Sequence, residues 1–232
     1  MFNSKVRIFS IKNETDNVKT FRFMVNGEQL NFKPGQYIML EIPEGQRSFS
    51  ISTPPTIKDY FELTIKKYPD SKVALALHSK KKGDEITIKG PLGRFILNEE
   101  ENNIVFLAAG NGITPLRSMI RYVIDKKLNK KMALIYSNKT RGEIIFYEEF
   151  KKLEEQNKNL KLVFTLSQEK WQGFTGRIDE KMIKNNVDLS DASFYISGSN
   201  DFVEGMINIL KEMNIEKEKV HREVFVRPTS QI

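Results

Sequence analysis

Two hydrophobic periodicities divide the chain. Up to about Lys89, apolar and polar residues alternate in short runs bounded by Gly, Pro and Asn. That period of two marks half-buried antiparallel strands. Val18–Val25 alternates and runs into the turn Val25-Asn26-Gly27-Glu28, and Tyr37–Ile42 follows the turn Lys33-Pro34-Gly35. Ser48–Ile51, Tyr60–Ile65 and Glu85–Lys89 continue the series, and one short helical segment, Val73–Ser79, interrupts it. Five or six short strands joined by such turns predict an antiparallel barrel.

Beyond Gly90-Pro91-Leu92-Gly93 and the polar stretch Asn98–Asn103 the pattern changes. Ile104–Ala109 is a continuous apolar run, as a parallel strand buried on both faces requires. Leu116, Met119, Ile120, Val123 and Ile124 then fall on one face of a helix. Met132–Tyr136, Leu160–Leu166, Ser193–Ser197 and Val220–Val226 read as further strands. Phe146–Glu155 and the segment carrying Val203, Met206, Ile207 and Leu210 read as further helices. The expected fold class is a β-barrel plus α/β: an antiparallel barrel over residues 1–99, then an open parallel-sheet domain over residues 100–232.

Composition narrows the chemistry. With 232 residues, 39% of them hydrophobic, the chain can fill two cores. It has no cysteine, which excludes disulfides, a thiolate nucleophile, Cys-ligated zinc and all-Cys iron–sulfur clusters. The only histidines, His78 and His221, have no partner at helical spacing, so no metal site is expected. The net charge of +7 is spread over both halves in short clusters such as Lys80-Lys81-Lys82 and Lys126-Lys127. Without a basic aromatic stripe, no nucleic-acid partner is expected. Met1–Lys5 lacks the apolar segment of a secretory signal, and no apolar run approaches a membrane span. The expectation is a cytoplasmic chain with no membrane partner.

Two segments carry candidate chemistry. Ala109-Gly110-Asn111-Gly112-Ile113-Thr114-Pro115 directly follows the first parallel strand and opens the first helix. Glycines there let backbone approach a phosphate, and a helix N-terminus offers free N–H groups and the positive dipole end. Pro115 suits the first helical turn, where its missing N–H costs nothing. The third glycine of the usual dinucleotide fingerprint is missing, and a Gly-x-Gly alone also suits a plain tight turn. Within the barrel, Gln46-Arg47-Ser48-Phe49-Ser50-Ile51-Ser52-Thr53-Pro54 combines a guanidinium, an aromatic ring and hydroxyls. That set suits a phosphate and a flat heterocycle. It equally suits an amphipathic strand.

Taken in order, these motifs resemble a family. Arg-x-aromatic-Ser in a barrel, Gly-Pro-x-Gly-x-Phe at the boundary and Gly-x-Gly-x-x-Pro after it are similar to the ferredoxin–NADP reductase-like flavoproteins. The resemblance continues through Tyr136-Ser137, Phe146–Phe150, Phe194–Gly198 and Glu223-Val224-Phe225, and so covers essentially the whole chain. It implies an FAD-binding barrel over residues 1–99 and an NAD(P)-binding domain over residues 100–232. It also implies that Arg47 binds the flavin pyrophosphate with help from Ser48, that Phe49 packs on the isoalloxazine, and that Ser50 sits near flavin N5. Phe49 stands where the family usually has Tyr, which removes one hydroxyl contact. Ile65 and Lys66 are placed along the other flavin edge and Tyr68 on the adenine. Lys72, Val73 and Ala74 form the helix N-terminus cradling the pyrophosphate, with Ala74 where the family often has Ser.

The same resemblance gives Gly110, Asn111, Gly112, Ile113, Thr114 and Pro115 to the nicotinamide dinucleotide. Ser197-Gly198 stands where the family usually carries Cys-Gly, and Glu223 and Phe225 match its C-terminal Glu-x-Phe. Ser50, Ser197 and Glu223 are the implied catalytic set, Ser50 and Glu223 relaying a proton at N5. Asn138, Arg141 and Ser167 fall where the adenine ribose would lie. Ser137–Arg141 contains no acid, a composition that leans toward NADPH, although NADP and NAD both stay open. The expected activity is an FAD-dependent NAD(P)H oxidoreductase exchanging electrons with a protein carrier, an acidic ferredoxin or flavodoxin that the +7 charge would steer. Two alternatives remain: an NAD(P)H:flavin oxidoreductase acting on free flavin, and an electron-transfer subunit of a larger complex.

Overall fold

The computed structural model describes residues 2–24 and 30–225. The predicted turn at Val25-Asn26-Gly27-Glu28 and the end of the last predicted strand at Val226 lie outside the described residues.

The first half is a six-stranded, wholly antiparallel sheet. Its strands are β1 (Phe2–Thr15), β2 (Val18–Met24), β3 (Tyr37–Ile42), β4 (Gly45–Ser50), β5 (Tyr60–Lys66) and β6 (Glu85–Leu92), in the spatial order β4-β3-β6-β1-β2-β5. The two ends of that order meet. Ile51, just past β4, bridges to Leu63 of β5, and the Ser52 N–H donates to the Glu62 carbonyl at 2.9 Å. Inward residues such as Phe21, Phe23, Ile38, Leu40, Phe61 and Leu63 fill the interior. Helix α1 (Lys72–Ser79) closes one end, burying Val73, Ala74 and Leu77. The 14-residue β1 is not separately legible in the alternation. A register shift between Ile8 and Ser10 breaks its period, leaving Phe9 outside.

The second half is a six-stranded parallel sheet with helices on both faces. Its strands are β7 (Asn103–Ala109), β8 (Lys131–Asn138), β9 (Leu160–Leu166), β10 (Phe174–Thr175), β11 (Ala192–Ser199) and β12 (Val220–Phe225), in the order β10-β9-β8-β7-β11-β12. Helices α2 (Ile113–Asp125) and α3 (Tyr147–Gln156) cover one face, while α4 (Glu180–Asn186) and α5 (Asn200–Glu212) cover the other. Helix α4 escapes the sequence pattern because only Met182 and Ile183 of its seven residues are buried. Helix α3 starts one residue later than predicted. Phe146 is its N-cap, in the left-handed region at φ 63°.

The edge strand β12 is pinned at its start. His221 stacks on Tyr195 with ring centroids 4.4 Å apart, and His221 Nε2 lies 2.8 Å from Glu101 Oε1. The Tyr195 hydroxyl donates to Glu101 Oε2 at 2.6 Å and accepts from the Asn98 N–H at 2.9 Å.

The halves share a core and a charge cluster. Val18, Phe95 and Leu97 of the first half pack into the cluster under α2. Arg117 of α2, almost fully buried, donates from Nη1 to Glu62 Oε2 at 3.0 Å and to the Ser52 carbonyl at 2.9 Å. Its Nε and Nη2 donate to Glu149 of α3 at 2.8 and 2.9 Å, and its guanidinium lies 4.3 Å from the centre of the Phe146 ring. Glu62 also accepts from Arg22 Nη2 at 2.8 Å. Burial pushes the Glu62 carboxyl up, but Arg117 and Arg22 together outweigh it and hold the carboxyl below its ordinary value.

A carboxyl depressed in this way stabilises the fold above its unfolded value of about 4.3 and stops doing so as pH falls through its lower folded value. Glu62→Gln is therefore expected to lower unfolding free energy by about 3 kcal/mol at neutral pH, because it leaves the buried Arg117 short of one of its two counter-charges. The gap to wild type should begin to narrow as pH falls below the unfolded value of about 4.3 and close only below the lower folded value. Urea unfolding at pH 7 and pH 3 measures both, and a gap independent of pH would contradict the assignment.

Candidate functional site

The parallel sheet runs outward from β7 in two directions, to β8 and β9 on one side and to β11 and β12 on the other. Open α/β sheets bind ligands at the carboxyl ends of the strands flanking such a reversal. Here that point holds the 3₁₀ turn 110–112, directly after β7 and before α2. Gly110 has a left-handed φ of 51°, and its carbonyl accepts from the buried Tyr136 hydroxyl at 2.8 Å. Burial keeps that phenol protonated, pushing its pKa well above the ordinary value. A Cβ on Gly112 would lie 2.1 Å from the Ser197 carbonyl oxygen, so the turn can nest against β11 only without a side chain. The Thr114 hydroxyl donates to the Asn111 carbonyl at 3.0 Å. Helix α2 has no side-chain cap at its N-terminus, and Pro115 sits in its first turn.

Ser197 and Gly198 end β11, with Ser197 in register with Glu223 and Ser199 with Phe225 of β12. Burial raises the Glu223 carboxyl above its ordinary value, so it is held toward its neutral form. Phe225 is half-buried. The Ser197 hydroxyl oxygen and Asn111 Oδ1 are buried and lack a hydrogen-bond partner among the described residues. Buried polar atoms are seldom left so unless a ligand or water completes them.

The barrel contributes a second group. Ser71 is the N-cap of α1 and its hydroxyl accepts from the Ala74 N–H at 3.2 Å. Arg47 Nη1 donates to the same hydroxyl at 3.1 Å. This places a guanidinium at the start of α1, beside Lys72, Val73 and Ala74. Burial pushes the Arg47 pKa below its ordinary value, with the Tyr68 hydroxyl close enough to oppose the shift. Ser71 is absent from the residues picked out by sequence, although a serine immediately before an apolar helical run is an N-cap signal. Ser48 is exposed and Ser50 buried on either side of Phe49. Phe49 is 8% exposed within the barrel core, so most of its surface is already covered by protein. Ile65 is fully buried, its carbonyl 2.9 Å from His78 Nε2. Lys66 reaches across to the second half and pairs with Glu143 at 3.0 Å.

At the outer end of the turn, Asn138 closes β8, and its carbonyl accepts from the Ser167 N–H at 2.9 Å. Arg141 is exposed, its guanidinium 5.6 Å from the centre of the Tyr147 ring. The structure adds here an acid that the run Ser137–Arg141 lacks. Glu169, from the loop after β9, accepts from the Arg141 N–H at 2.8 Å. It lies nearly thirty positions downstream in the sequence, so no local motif exposes it.

These donor sets fit nucleotide cofactors. Arg47 and the first turn of α1 offer a guanidinium and backbone N–H groups to a diphosphate. The uncapped N-terminus of α2 offers the positive end of its dipole to a second dinucleotide, with the orphaned Ser197 hydroxyl as a donor or acceptor and Asn111 Oδ1 as an acceptor beside it. Among the described residues no cluster of potential metal ligands occurs, and no helix is long and apolar enough to cross a membrane.

Comparisons with known proteins agree with this reading. Residues 5–96 match the oxidoreductase FAD-binding domain family, and residues 106–208 match the oxidoreductase NAD-binding domain family. The chain is 30% identical over 233 residues to the glycine betaine monooxygenase reductase subunit of Chromohalobacter salexigens, covering 95% of this chain and 63% of that protein. It is 26% identical over 236 residues to the propane 2-monooxygenase reductase component of Mycolicibacterium goodii, covering 97% of this chain and 68% of that one. The chain thus spans a little under two thirds of the glycine betaine relative. Among solved structures, the flavohem-like FAD/NAD binding domain of nitric oxide dioxygenase from Vibrio cholerae superposes with a TM-score of 0.89 at 21% identity, over 95% of this chain and 98% of that one. A ferredoxin NADP+ reductase from Neisseria gonorrhoeae with bound FAD and NADP superposes with a TM-score of 0.85 at 20% identity, over 96% and 98%. At those identities the likeness is one of fold. With both domain families matched in order along the chain, the protein belongs to the ferredoxin–NADP reductase-like family of flavoproteins.

Proposed function

We propose that this chain is a reductase that takes hydride from a reduced nicotinamide and passes the electrons to a protein acceptor. We further propose that residues 1–99 hold the flavin and residues 100–232 the nicotinamide dinucleotide. One observation carries the reading: the turn 110–112 lies against β5 of the barrel and against β7, β8, β11 and β12 of the parallel sheet. A ligand at the end of α2 is therefore brought to the barrel rather than held away from it.

Bound FAD would supply an acceptor for one hydride, two electrons with a proton, and a donor of those electrons singly to a carrier. The chain's own residues bind and orient. Arg47 and the α1 N-terminus neutralise a diphosphate, and the α2 N-terminus does the same for the second dinucleotide. The Ser197 hydroxyl, unpartnered among the described residues, is available to whatever enters beside β11. Serine there keeps the size and polarity of the family's usual cysteine and loses the polarisable sulfur. Glu223, kept toward its neutral form by burial, can hold a proton at the strand end, with Ser50 as the second candidate. The net charge of +7 favours an acidic carrier such as a ferredoxin or flavodoxin. A cytoplasmic setting suits a chain that needs no oxidising compartment for disulfides.

For nicotinamide choice, Glu169 shifts the balance toward NADH. Its carboxylate, on the loop after β9 and bonded to the backbone that follows β8, accepts a ribose hydroxyl well and repels a 2′-phosphate.

The absorbance spectrum of the purified protein tests the main reading. Flavin bands that bleach on adding NADH or NADPH are expected, with Arg47→Ala losing most of its flavin while remaining folded. A colourless protein that reduces added riboflavin would establish free flavin as the substrate instead, and unchanged flavin content in Arg47→Ala would sink that arginine's role. Glu169→Gln is expected to lower the ratio of kcat/KM for NADH over NADPH by about tenfold, the effect of relieving one charge repulsion of roughly 1.4 kcal/mol. An unaltered ratio would remove Glu169 from the nucleotide site.

A further inference from the structure

We infer that Arg117 and Ser118 are positioning residues that set the placement of the nicotinamide loop relative to the flavin-binding strand. The inference rests on the proposed reductase function. Both residues lie about one turn into α2, the helix whose N-terminus is the turn 110–112. They grip consecutive carbonyls at the far side of the boundary. Arg117 Nη1 donates to the Ser52 carbonyl at 2.9 Å, and the Ser118 hydroxyl donates to the Thr53 carbonyl at 2.6 Å. Ser52 and Thr53 lie two and three residues past Ser50, the end of β4, the strand that carries Arg47 and Phe49. All four residues of the clamp are buried.

The clamped segment has no slack on its other side. The Ser52 N–H and hydroxyl both donate to the Glu62 carbonyl, at 2.9 and 3.1 Å, and the Glu62 N–H donates to the Thr53 hydroxyl at 3.2 Å. The Glu62 carboxylate returns to Arg117. Segment 52–53, residue 62 and α2 therefore form a closed ring of hydrogen bonds. The other connection across the boundary at the site, Lys66 to Glu143, is partly exposed and much weaker.

Mere cementing of two domains would not need this chemistry, because a buried ion pair can often be replaced by well-packed apolar side chains without loss of stability. Hydrogen bonds directed from Arg117 to the Ser52 carbonyl and the Glu62 carboxylate, and from Ser118 to the Thr53 carbonyl, give something an apolar contact does not: a fixed direction and distance. Hydride transfer is governed by the separation and alignment of the reacting atoms, and a 1 Å displacement can cost about a hundredfold in rate.

The test compares wild type with Arg117→Met and Ser118→Ala in two measurements. Hydrogen exchange of the backbone amides of residues 50–53 and of Glu62, followed in the chain without added cofactor, is expected to speed up about tenfold or more in Arg117→Met, with the amides of β1 unchanged. Stopped-flow reduction of the flavin-loaded protein at saturating nicotinamide is expected to slow about 10- to 100-fold in Arg117→Met and several-fold in Ser118→Ala, while flavin content and nucleotide affinity hold. A limiting rate within twofold of wild type in both variants would overturn the inference and leave the cluster as cement. If Arg117→Met does not fold, Ser118→Ala alone decides, since it loses one hydrogen bond from an otherwise intact ring. Wild-type flavin that neither nicotinamide reduces would overturn the reductase reading, and the exchange rates would then decide whether the clamp exists.

Discussion

A guanidinium buried between two domains is a costly object unless its charge is balanced and its N–H groups are used. Arg117 meets both conditions at once, with Glu62 on the barrel side and Glu149 on its own side. Because the two counter-charges belong to different halves of the chain, neither half can satisfy the arginine alone. Separation of the halves would expose a shared apolar seam containing Val18, Phe95 and Leu97 and would strand Glu62 against Arg22 alone. The geometry of everything at the boundary follows from that constraint. The segment after β4 and the first turns of α2 are thereby joined by hydrogen bonds through Ser52, Thr53 and Glu62.

The fold was legible because its two halves obey different periods. Alternation in Tyr37–Ile42 and the unbroken apolar run before Gly110 are local signals of burial on one face and on two. Tyr60–Ile65 alternates in sequence but is buried on both faces, Glu62 and Thr64 included. Where burial is slight or the period is broken, the signal fails. Helix α4 buries two side chains and leaves no stripe, and the register shift in β1 displaces Phe9 from the alternation. The site divides in the same way. Gly110 and Gly112 could be found because a strand, a turn and a helix follow one another directly. Ser71 beneath Arg47 and Glu169 beside Arg141 could not, since each pairing depends on chain segments brought together only by folding. Arg117 was invisible for the same reason: its partners at 52, 62 and 149 have no spacing that marks them.

The departures from the family pattern are small in volume and large in chemistry. Under the proposed correspondence, serine at 197 for cysteine and phenylalanine at 49 for tyrosine conserve shape while removing, respectively, a polarisable sulfur and a hydroxyl. Each leaves the hydrogen-bonding scaffold around it intact. The turn at Gly112 still nests on the Ser197 carbonyl, and Arg47 still rests on the cap of α1. The binding frame and the reactive tuning are thus carried by different atoms, the frame mostly by backbone and arginine, the tuning by single side chains.

The stacked pair at the start of β12 has a consequence at the opposite end of that strand. An edge strand is held by one neighbour only, and in a parallel pair a slip by one residue would turn every side chain to the other face. Glu223 would then face away from Ser197 altogether. His221, wedged on Tyr195 and held by Glu101, prevents that slip two residues upstream. The linker between the domains supplies Glu101, so the same short segment that joins the two halves also works as the index mark that keeps the last strand in step.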